Sequence, residues 1–288
     1  MERCERCETL GLESYRRLSC QAVAVEESTK PTSRKLQNVE WADLGVRGTR
    51  VMGNEDTIAQ VHPKRLTEAM FAAAAKHGTT KRTGVVEGVE VDSEGRVAAV
   101  RVDGEAVPAD VVVVAMGPWS TQAAAGLPIP PVYGQKYHSI LMRPERVLNQ
   151  AVFFQGRGDP EVYPRPDGDV YVTGFPDPPV MVEEIPGEVE VRQDVCDRLV
   201  DTIRMVSSEM STAEVTLTQA CHLPITTDGI PMMGLIPTVE GAYIASGHSC
   251  WGILNSPATG LAMAELIVEG AATSVDISSF DPLRFFRK

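Results

Sequence analysis

Residues 247–260 read Gly-His-Ser-Cys-Trp-Gly-Ile-Leu-Asn-Ser-Pro-Ala-Thr-Gly and lie between two apolar stretches. Residues 242–245 predict a short buried strand, and residues 261–267 carry apolar side chains at helical spacing. A glycine-rich turn between a strand and a helix brings backbone N–H groups and the positive end of the helix dipole to one point. That arrangement suits a phosphate, a carboxylate or the electron-rich edge of a redox cofactor. An ordinary strand–turn–helix corner has the same spacing, so spacing alone leaves both interpretations open.

The elements around this turn follow from periodicity. Pro257 is expected in the first turn of the helix, where its missing N–H is harmless. Residues 111–115 are four valines and an alanine, which is typical of a strand buried on both faces. Residues 85–102 predict a hairpin, and residues 28–53 predict a polar connection rather than regular structure. Apolar side chains on one face predict a helix over residues 194–210.

Three segments, in this order along the chain, resemble the D-amino-acid oxidase/glycine oxidase type of FAD-dependent oxidoreductases. Residues 109–120 resemble an internal strand of that family that ends in an Ala-x-Gly turn. Residues 219–234 contain the pattern Pro-x-Thr-x-Asp-Gly-x-Pro-x-x-Gly, and residues 247–260 resemble the flavin-contacting turn near the C-terminus. Val61-His62-Pro63, before an alanine-rich helix, also resembles the family. The resemblance extends from about residue 15 to residue 286.

This resemblance implies an α/β fold in which two domains are interleaved along the chain. One is an FAD/NAD(P)-binding Rossmann-like domain, expected at residues 61–131 and 215–288. The other is an α+β substrate domain with an antiparallel sheet, expected at residues 15–60 and 132–214. Residues 1–14 are polar and charged, and we expect them to form a disordered tail.

One element of the family pattern is missing from the sequence. Such flavoproteins open with a strand, a G-x-G-x-x-G turn and a helix that receives the FAD pyrophosphate. No G-x-G-x-x-G occurs in the 288 residues. We therefore expect the chain to begin after this βαβ unit, as a truncated gene model, a fragment or a degenerate paralogue would. An NAD-linked dehydrogenase is a poorer interpretation, because it needs the same glycine turn.

Composition narrows the class of partner. A net charge of −12 argues against nucleic acid or an anionic membrane as a partner. No apolar run approaches the roughly 20 residues of a membrane-spanning helix, and no signal peptide is recognisable. The six cysteines are scattered, which favours a reducing, cytoplasmic location. Cys4 and Cys7 form half of a zinc-site spacing that nothing completes, so we predict no metal site.

Eight residues are candidates for binding FAD. The resemblance places Val85 and Val86 beside the adenine, and it places the N–H groups of the 252–254 turn at the pyrimidine edge of the flavin. Gly117 ends the internal strand, where the lack of a side chain allows close approach of a pyrophosphate or ribityl chain. The predicted cofactor-binding residues are Val85, Val86, Gly117, Trp119, Gly247, Gly252, Ile253 and Leu254.

Three residues are candidates for a role in catalysis. His248 titrates near neutrality and is placed to tune the flavin, although a structural histidine fits as well. Arg165 lies in a Tyr-Pro-Arg-Pro-Asp-Gly loop and can grip a substrate carboxylate, unless it is simply solvated. Tyr163 is expected to wall the pocket. The implied function is FAD-dependent oxidation of a small amine or amino acid; the alternative is a non-catalytic remnant or fragment of such a flavoprotein that no longer binds FAD.

Overall fold

The computed structural model describes residues 11–27, 38–182 and 185–286. The helices are α1 (Pro63–Ala75), α2 (Ser120–Ala123), α3 (Gln193–Val206) and α4 (Gly252–Glu269), with 3₁₀ turns at Gly117–Trp119, Ser249–Trp251, Ser278–Phe280 and Pro282–Phe285. The strands are β1 (Arg16–Arg17), β2 (Ser19–Val25), β3 (Val46–Gly53), β4 (Ala59–Gln60), β5 (Val86–Val91), β6 (Val97–Val102), β7 (Glu105–Pro108), β8 (Val112–Val114), β9 (Tyr133–Arg143), β10 (Gln150–Gln155), β11 (Glu161–Pro164), β12 (Val170–Gly174), β13 (Glu214–Ile225), β14 (Met232–Leu235) and β15 (Ala242–Ser246).

The chain divides into two compact units, each assembled from separate stretches of sequence. The first unit is residues 1–81, 137–176 and 190–220, and the second unit is residues 82–136, 177–189 and 221–288.

Four segments fall in a different unit from the domain that the sequence suggested for them: residues 61–81 and 215–220 lie in the first unit, and residues 132–136 and 177–189 lie in the second. Helix α1, predicted with the cofactor domain, belongs to the first unit, because Arg65 pairs with Asp167 and His62 N–H donates to Ser14 Oγ at 3.4 Å. Residues 177–189 belong to the second unit, where Val180 exchanges backbone hydrogen bonds with Gly134.

Part of the predicted disordered tail is folded. Residues 1–10 lie outside the described residues, but Ser14 is buried and accepts the hydrogen bond from His62. The expected polar connection over residues 28–53 is also wrong in its second half, because β3 pairs antiparallel with β2 there.

The largest sheet has the strand order β13-β9-β12-β11-β10-β2-β3. β10 runs parallel to β2 and antiparallel to β11, so the sheet is mixed rather than wholly antiparallel. The apolar face of α3, led by Leu199 and Ile203, packs in one buried cluster with alternate residues of the central strands. Burying each such side chain contributes about 1.5–3 kcal/mol. Tyr163 and Tyr171 pair across strands on the opposite face of this sheet.

The second unit contains a smaller sheet with the order β14-β15-β8. β15 runs parallel to β8, with Ala242 opposite Val112, and α4 follows β15. The expected burial of the valine run on both faces is wrong, because Val111 is 45% and Val113 is 40% exposed. The physical reason is that β8 is the edge strand of this sheet within the described chain.

Helix α4 begins earlier than the sequence suggested. Its first residue is Gly252, so Pro257 lies inside the helix and not in the expected first position. A proline there leaves the carbonyl of Ile253 without its usual N–H donor. Ser256 Oγ donates to that carbonyl at 3.4 Å, which supplies a replacement. The helix ends at Gly270, whose φ of +83° is the left-handed conformation that favours glycine at this position.

An ion pair fastens the C-terminal 3₁₀ turn of the second unit to the loop before β14. Arg284 Nε donates to Asp228 Oδ2 at 2.7 Å, and Ile230 N–H and Thr226 Oγ1 each donate to Asp228 Oδ1 at 3.0 Å. These donors lower the pKa of Asp228 to about 2, with the Arg284 hydrogen bond as the largest cause.

We predict that Asp228→Asn destabilises the protein at pH 7. The folded-state pKa lies below the unfolded value of 3.8, so the stabilisation is complete above pH 3.8 and is lost as pH falls towards 2. The carboxylate is 34% exposed, so we expect a loss of about 1 kcal/mol rather than the full value of the shift. Urea unfolding at pH 7 and pH 2.5 measures the loss. Exposed Asp110→Asn is the control, and equal unfolding free energies for both variants at pH 7 would contradict the prediction.

Candidate functional site

An open cleft of about 560 Å³ lies in the second unit between α4 and the sheet strands β8 and β15. Its lining is mostly small or apolar and includes no lysine or arginine. Of the sequence-predicted site residues, the structure brings four together here: Gly117, Gly247, His248 and Gly252.

Three glycines leave the backbone open to this cleft. A Cβ built at Gly117 or Gly260 meets no atom within 4 Å, and one at Gly252 meets only His248 Cβ, at 3.9 Å. Gly117 also has a φ of +54°, which disfavours other residues. Because these three positions carry no side chain, backbone atoms form this part of the cleft wall.

Gly247 has a different reason to be glycine. A Cβ there would lie 2.5 Å from Thr226 Cγ2, and its φ is +85°. Gly252, in contrast, has φ −58° and ψ −48° at the start of α4. A side chain at Gly252 would therefore need no unfavourable φ, and the open space in front of it is the feature that distinguishes the position.

The first turn of α4 begins at the cleft, which Gly252 lines. It carries no acidic residue and no side-chain N-cap, so side chains do not neutralise the positive end of the dipole. The side chains of Ile253 and Leu254 are 44% and 70% exposed and do not line the cleft. Of the predicted 252–254 turn, the structure therefore brings only Gly252 to the cleft.

His248 lines the cleft in a fixed orientation. Its Nε2 lies 3.0 Å from Thr259 Oγ1, one of the residues of α4 that face the same space. Burial lowers the pKa of His248 below its usual value, so the ring is neutral at pH 7. A neutral imidazole adds polarity to the cleft without adding charge.

The remaining cofactor candidates do not line the cleft. Val85 is 65% exposed, and its N–H donates to Asp103 Oδ1 at 2.9 Å. Val86 pairs with Val102 in the hairpin, and the ring of Trp119 lies edge-on to His222 with centroids 6.2 Å apart. The structure therefore places none of these three residues in the cleft.

Sequence reasoning missed the residues that hold the glycine turn after β8. Ser120 Oγ and Ser246 Oγ both donate to the carbonyl of Gly117, at 2.7 and 3.0 Å. It also missed Ser256 and Gly260 on α4. Their spacing of four from Gly252 places all three on one helix face, and that regular interval of small residues was a usable signal.

Arg165 lies in the first unit, in the turn between β11 and β12. It is half-buried, its guanidinium lies 5.5 Å from the centre of the Tyr171 ring, and Nη1 is 3.5 Å from His62 Nε2. Its neighbours Arg143 and Arg65 pair with Asp169 and Asp167, at 2.6 and 3.7 Å. Within the described chain, no carboxylate pairs with Arg165. It is thus a cation with free donors.

Tyr163 is already engaged in the same unit. Its hydroxyl donates to Glu161 Oε2 at 2.5 Å, and its ring contacts those of Phe153 and Tyr171, with centroids 5.4 and 6.1 Å away. Burial, followed by the charge of Glu161, raises the pKa of Tyr163. The phenol is therefore neutral and suited to form a wall rather than to act as a base.

The described residues offer neither a metal centre nor a membrane-spanning helix. They contain no group of three or more His, Cys, Asp or Glu side chains arranged to hold a metal ion. None of their helices combines the length and apolar character needed to cross a bilayer.

A family model described as "FAD dependent oxidoreductase" matches residues 2–266 of the sequence. The chain belongs to this family. A similar curated protein is TDA3 of Saccharomyces cerevisiae, whose name describes an oxidoreductase without a stated substrate, at 33% identity over 88% of this chain. Another is the oxidoreductase C1F5.03c of Schizosaccharomyces pombe, at 28% identity over 93% of this chain. The chain spans 54% of the length of the first of these relatives and 75% of the length of the second.

The fold is also that of solved members of the family. Glycine oxidase from Geobacillus kaustophilus superposes with a TM-score of 0.74 at 22% identity, covering 97% of this chain and 78% of that one. FAD is the cofactor of the family. The cleft of this chain fits such a group, because Gly117, Gly252 and Gly260 leave space that a Cβ would fill.

We predict that Gly252→Val lowers flavin content in a flavin-competent form of the protein while leaving the fold intact. The backbone of Gly252 is helical and unobstructed, so the new side chain occupies cleft space without a steric clash in the protein. The flavin-to-protein absorbance ratio and circular dichroism measure the two effects. Asn255→Val, at an exposed position of α4 that does not line the cleft, is the matched control. Unchanged flavin content in Gly252→Val would show that this turn is purely structural.

Proposed function

We propose that this oxidoreductase acts on a small amine or amino acid, with the glycine cleft of the second unit holding FAD. Support comes from glycine oxidase among the structures of the same fold and from the open glycine backbone in the cleft. When bound, FAD supplies the hydride acceptor for oxidation of a substrate C–H bond. The chain's own residues then have to bind the cofactor, orient the substrate and exclude water.

The observation that carries the substrate proposal is the unpaired guanidinium of Arg165. Partial burial of a cation costs desolvation free energy, and a bound ligand of opposite charge offsets that cost by accepting from its free donors. A planar carboxylate matches its paired N–H groups, and an amino acid provides that carboxylate. The proposed substrate is accordingly a carboxylate-bearing amine, with Tyr163 and Tyr171 forming an apolar wall on the same sheet face.

In the cofactor cleft, the proposed roles are those of backbone and neutral groups. The N–H groups of Gly252, Ile253 and Leu254 favour electron density on the cofactor, and Gly117 allows close approach. His248 is proposed as a neutral polar neighbour held in place by Thr259. Gly247 is retained as a binding candidate because it lines the cleft, whereas Val85, Val86 and Trp119 are retained only by the family resemblance.

A second candidate function is a non-catalytic one, and the charge of the cleft favours it. FAD carries a pyrophosphate, yet the cleft lining includes no lysine or arginine. The partial positive charge of one helix N-terminus, about half a unit, neutralises only part of the negative charge of the pyrophosphate. The sequence also has no G-x-G-x-x-G turn to supply the remaining N–H donors.

We predict that the 288-residue chain binds FAD weakly or not at all, and that fusing a family-type strand-GxGxxG-helix unit to its N-terminus restores binding. Losing several charge-assisted contacts of about 1.5–3 kcal/mol each lowers affinity by 10⁴-fold or more. Flavin fluorescence quenching and the absorbance of the purified protein measure occupancy. Tight, stoichiometric FAD in the unextended chain would contradict the prediction.

We predict that Arg165→Met, in a flavin-competent form, raises KM for a carboxylate-bearing amine by about ten- to a hundredfold, because the charged hydrogen bonds are lost. Oxidation of a simple amine without a carboxylate should be almost unchanged. Arg143→Met is the control, since Asp169 already matches that charge. Equal losses for both substrates would mean that Arg165 supports the loop, and no loss for either would mean that it is only solvated.

A further inference from the structure

We propose that His62 is a positioning residue for Arg165. Its neutral Nε2 accepts a hydrogen bond from Arg165 Nη1 and holds the guanidinium over Tyr171, with the other N–H groups free for a substrate carboxylate. The hydrogen-bond part of this proposal stands on the first unit alone. The carboxylate part rests on the proposed function.

The backbone conformation of His62 fixes the position from which its side chain extends. The residue precedes Pro63, which restricts it to extended conformations, and it has φ −77° and ψ 115°. Its carbonyl accepts from Leu66 N–H at 3.0 Å, and its N–H donates to Ser14 Oγ at 3.4 Å. Hydrogen bonds to its N–H and to its carbonyl therefore fix the backbone of His62.

The side chain of His62 is not used for the usual task at this position. His62 is the N-cap of α1, where a side chain commonly accepts a hydrogen bond from the first helical turn. It makes no such bond, and its Nε2 instead lies 3.5 Å from Arg165 Nη1. An interaction across 103 positions of sequence replaces a local cap.

The hydrogen-bond donors and acceptors of Arg165 and His62 determine which protonation state of His62 allows their contact. A guanidinium only donates, so an attractive contact requires a lone pair on His62 Nε2, and the ring hydrogen must then be on Nδ1. Nδ1 is buried and has no hydrogen-bond partner among the described residues. Protonating Nε2 would direct N–H towards N–H, so the arrangement exists only with neutral His62.

The charges around the ring agree with this state. Burial is the largest cause that lowers the pKa of His62, followed by the charges of Arg165 and Arg65, while Asp167 opposes them. The positive end of α1 acts in the same direction as the arginines. At pH 7 the ring is neutral and able to accept.

The two contacts leave Arg165 with unused capacity. A guanidinium has five N–H donors, of which His62 takes one, while Tyr171 lies against the group and occupies no donor. Constraining the cation before the ligand arrives lowers the ordering cost of binding. His62 therefore contributes to substrate affinity without touching the substrate.

The first test needs neither FAD nor substrate. In the 288-residue chain labelled with ¹⁵N-histidine, the ring nitrogens of His62 should show the Nδ1–H tautomer at pH 7 and titrate below the usual range. Arg165→Met should shift the tautomer towards Nε2–H and raise the pKa of His62, while the signals of exposed His77 stay in place. An Nε2–H tautomer in the unmodified chain overturns the proposal.

The second test separates positioning from folding. In a flavin-competent form, His62→Leu should raise KM for a carboxylate-bearing amine about fivefold through loss of one hydrogen bond, with kcat unchanged. His62→Gln, which keeps a neutral acceptor, should stay within about twofold of the unmodified protein. Neither variant should alter KM for an amine without a carboxylate.

The outcomes distinguish this inference from the proposed function. Unchanged KM in His62→Leu, beside a raised KM in Arg165→Met, overturns the positioning role and leaves the proposed function standing. No effect of Arg165→Met on carboxylate KM overturns the proposed function and, with it, the carboxylate role of His62. If His62→Leu does not fold, the tautomer measurement and the Gln variant still decide the question.

Discussion

The second unit depends on one constraint, which is that backbone must remain uncovered where β8 and β15 meet the start of α4. A side chain at Gly117 would need a left-handed φ, and side chains at Gly252 and Gly260 would enter the cleft. The hydroxyls of Ser120 and Ser246 then satisfy the Gly117 carbonyl, which the sheet does not pair. Small and apolar residues line this cleft, without lysine or arginine, so it offers a ligand shape rather than side-chain charge.

The first unit follows the opposite rule, since charge decides what it can bind. Its arginines near the β11–β12 turn are matched to carboxylates one by one, as Arg143 is to Asp169. Arg165 is left with an imidazole and an aromatic ring. A ring face and a neutral lone pair orient a guanidinium without neutralising it, so the positive charge stays available to a ligand.

The sequence was most informative where one residue type has one physical use. Pro63 predicted the start of α1, and the Asp92–Gly95 turn with its flanking valines predicted the β5–β6 hairpin. The Gly-rich segment at 247–260 correctly indicated a strand followed by a helix. These features are local, so neighbouring residues contain the information that determines them.

The failures share a dependence on distant contacts. Pro257 indicated a helix start, but Ser256 allows the proline to lie inside α4 by supplying a hydroxyl donor. β3 contains Gly48 and charged residues, and it is a strand because β2 offers a partner edge. The pairing of His62 with Arg165 spans 103 positions, and no period in the sequence indicates it.

The apolar surface of α4 bears on how strongly the cleft can bind a ligand. A helix that is apolar on several faces is normally covered on them. Of the residues of α4, only Ala262 and Met263 are buried, while Val268 is 81% exposed. Val113 on the edge strand β8 faces the same cleft and is also exposed.

An open wall of this kind limits the cofactor site in two ways. Ile253 and Leu254 in the first turn are 44% and 70% exposed, so a hydrogen bond from this turn to a ligand replaces one to water and contributes only about 0.5–1.5 kcal/mol. Water also raises the local dielectric and weakens the attraction of the helix dipole for negative charge. The glycine positions therefore determine the shape of the cleft, whereas its affinity for a ligand depends on how completely the apolar face of α4 is covered.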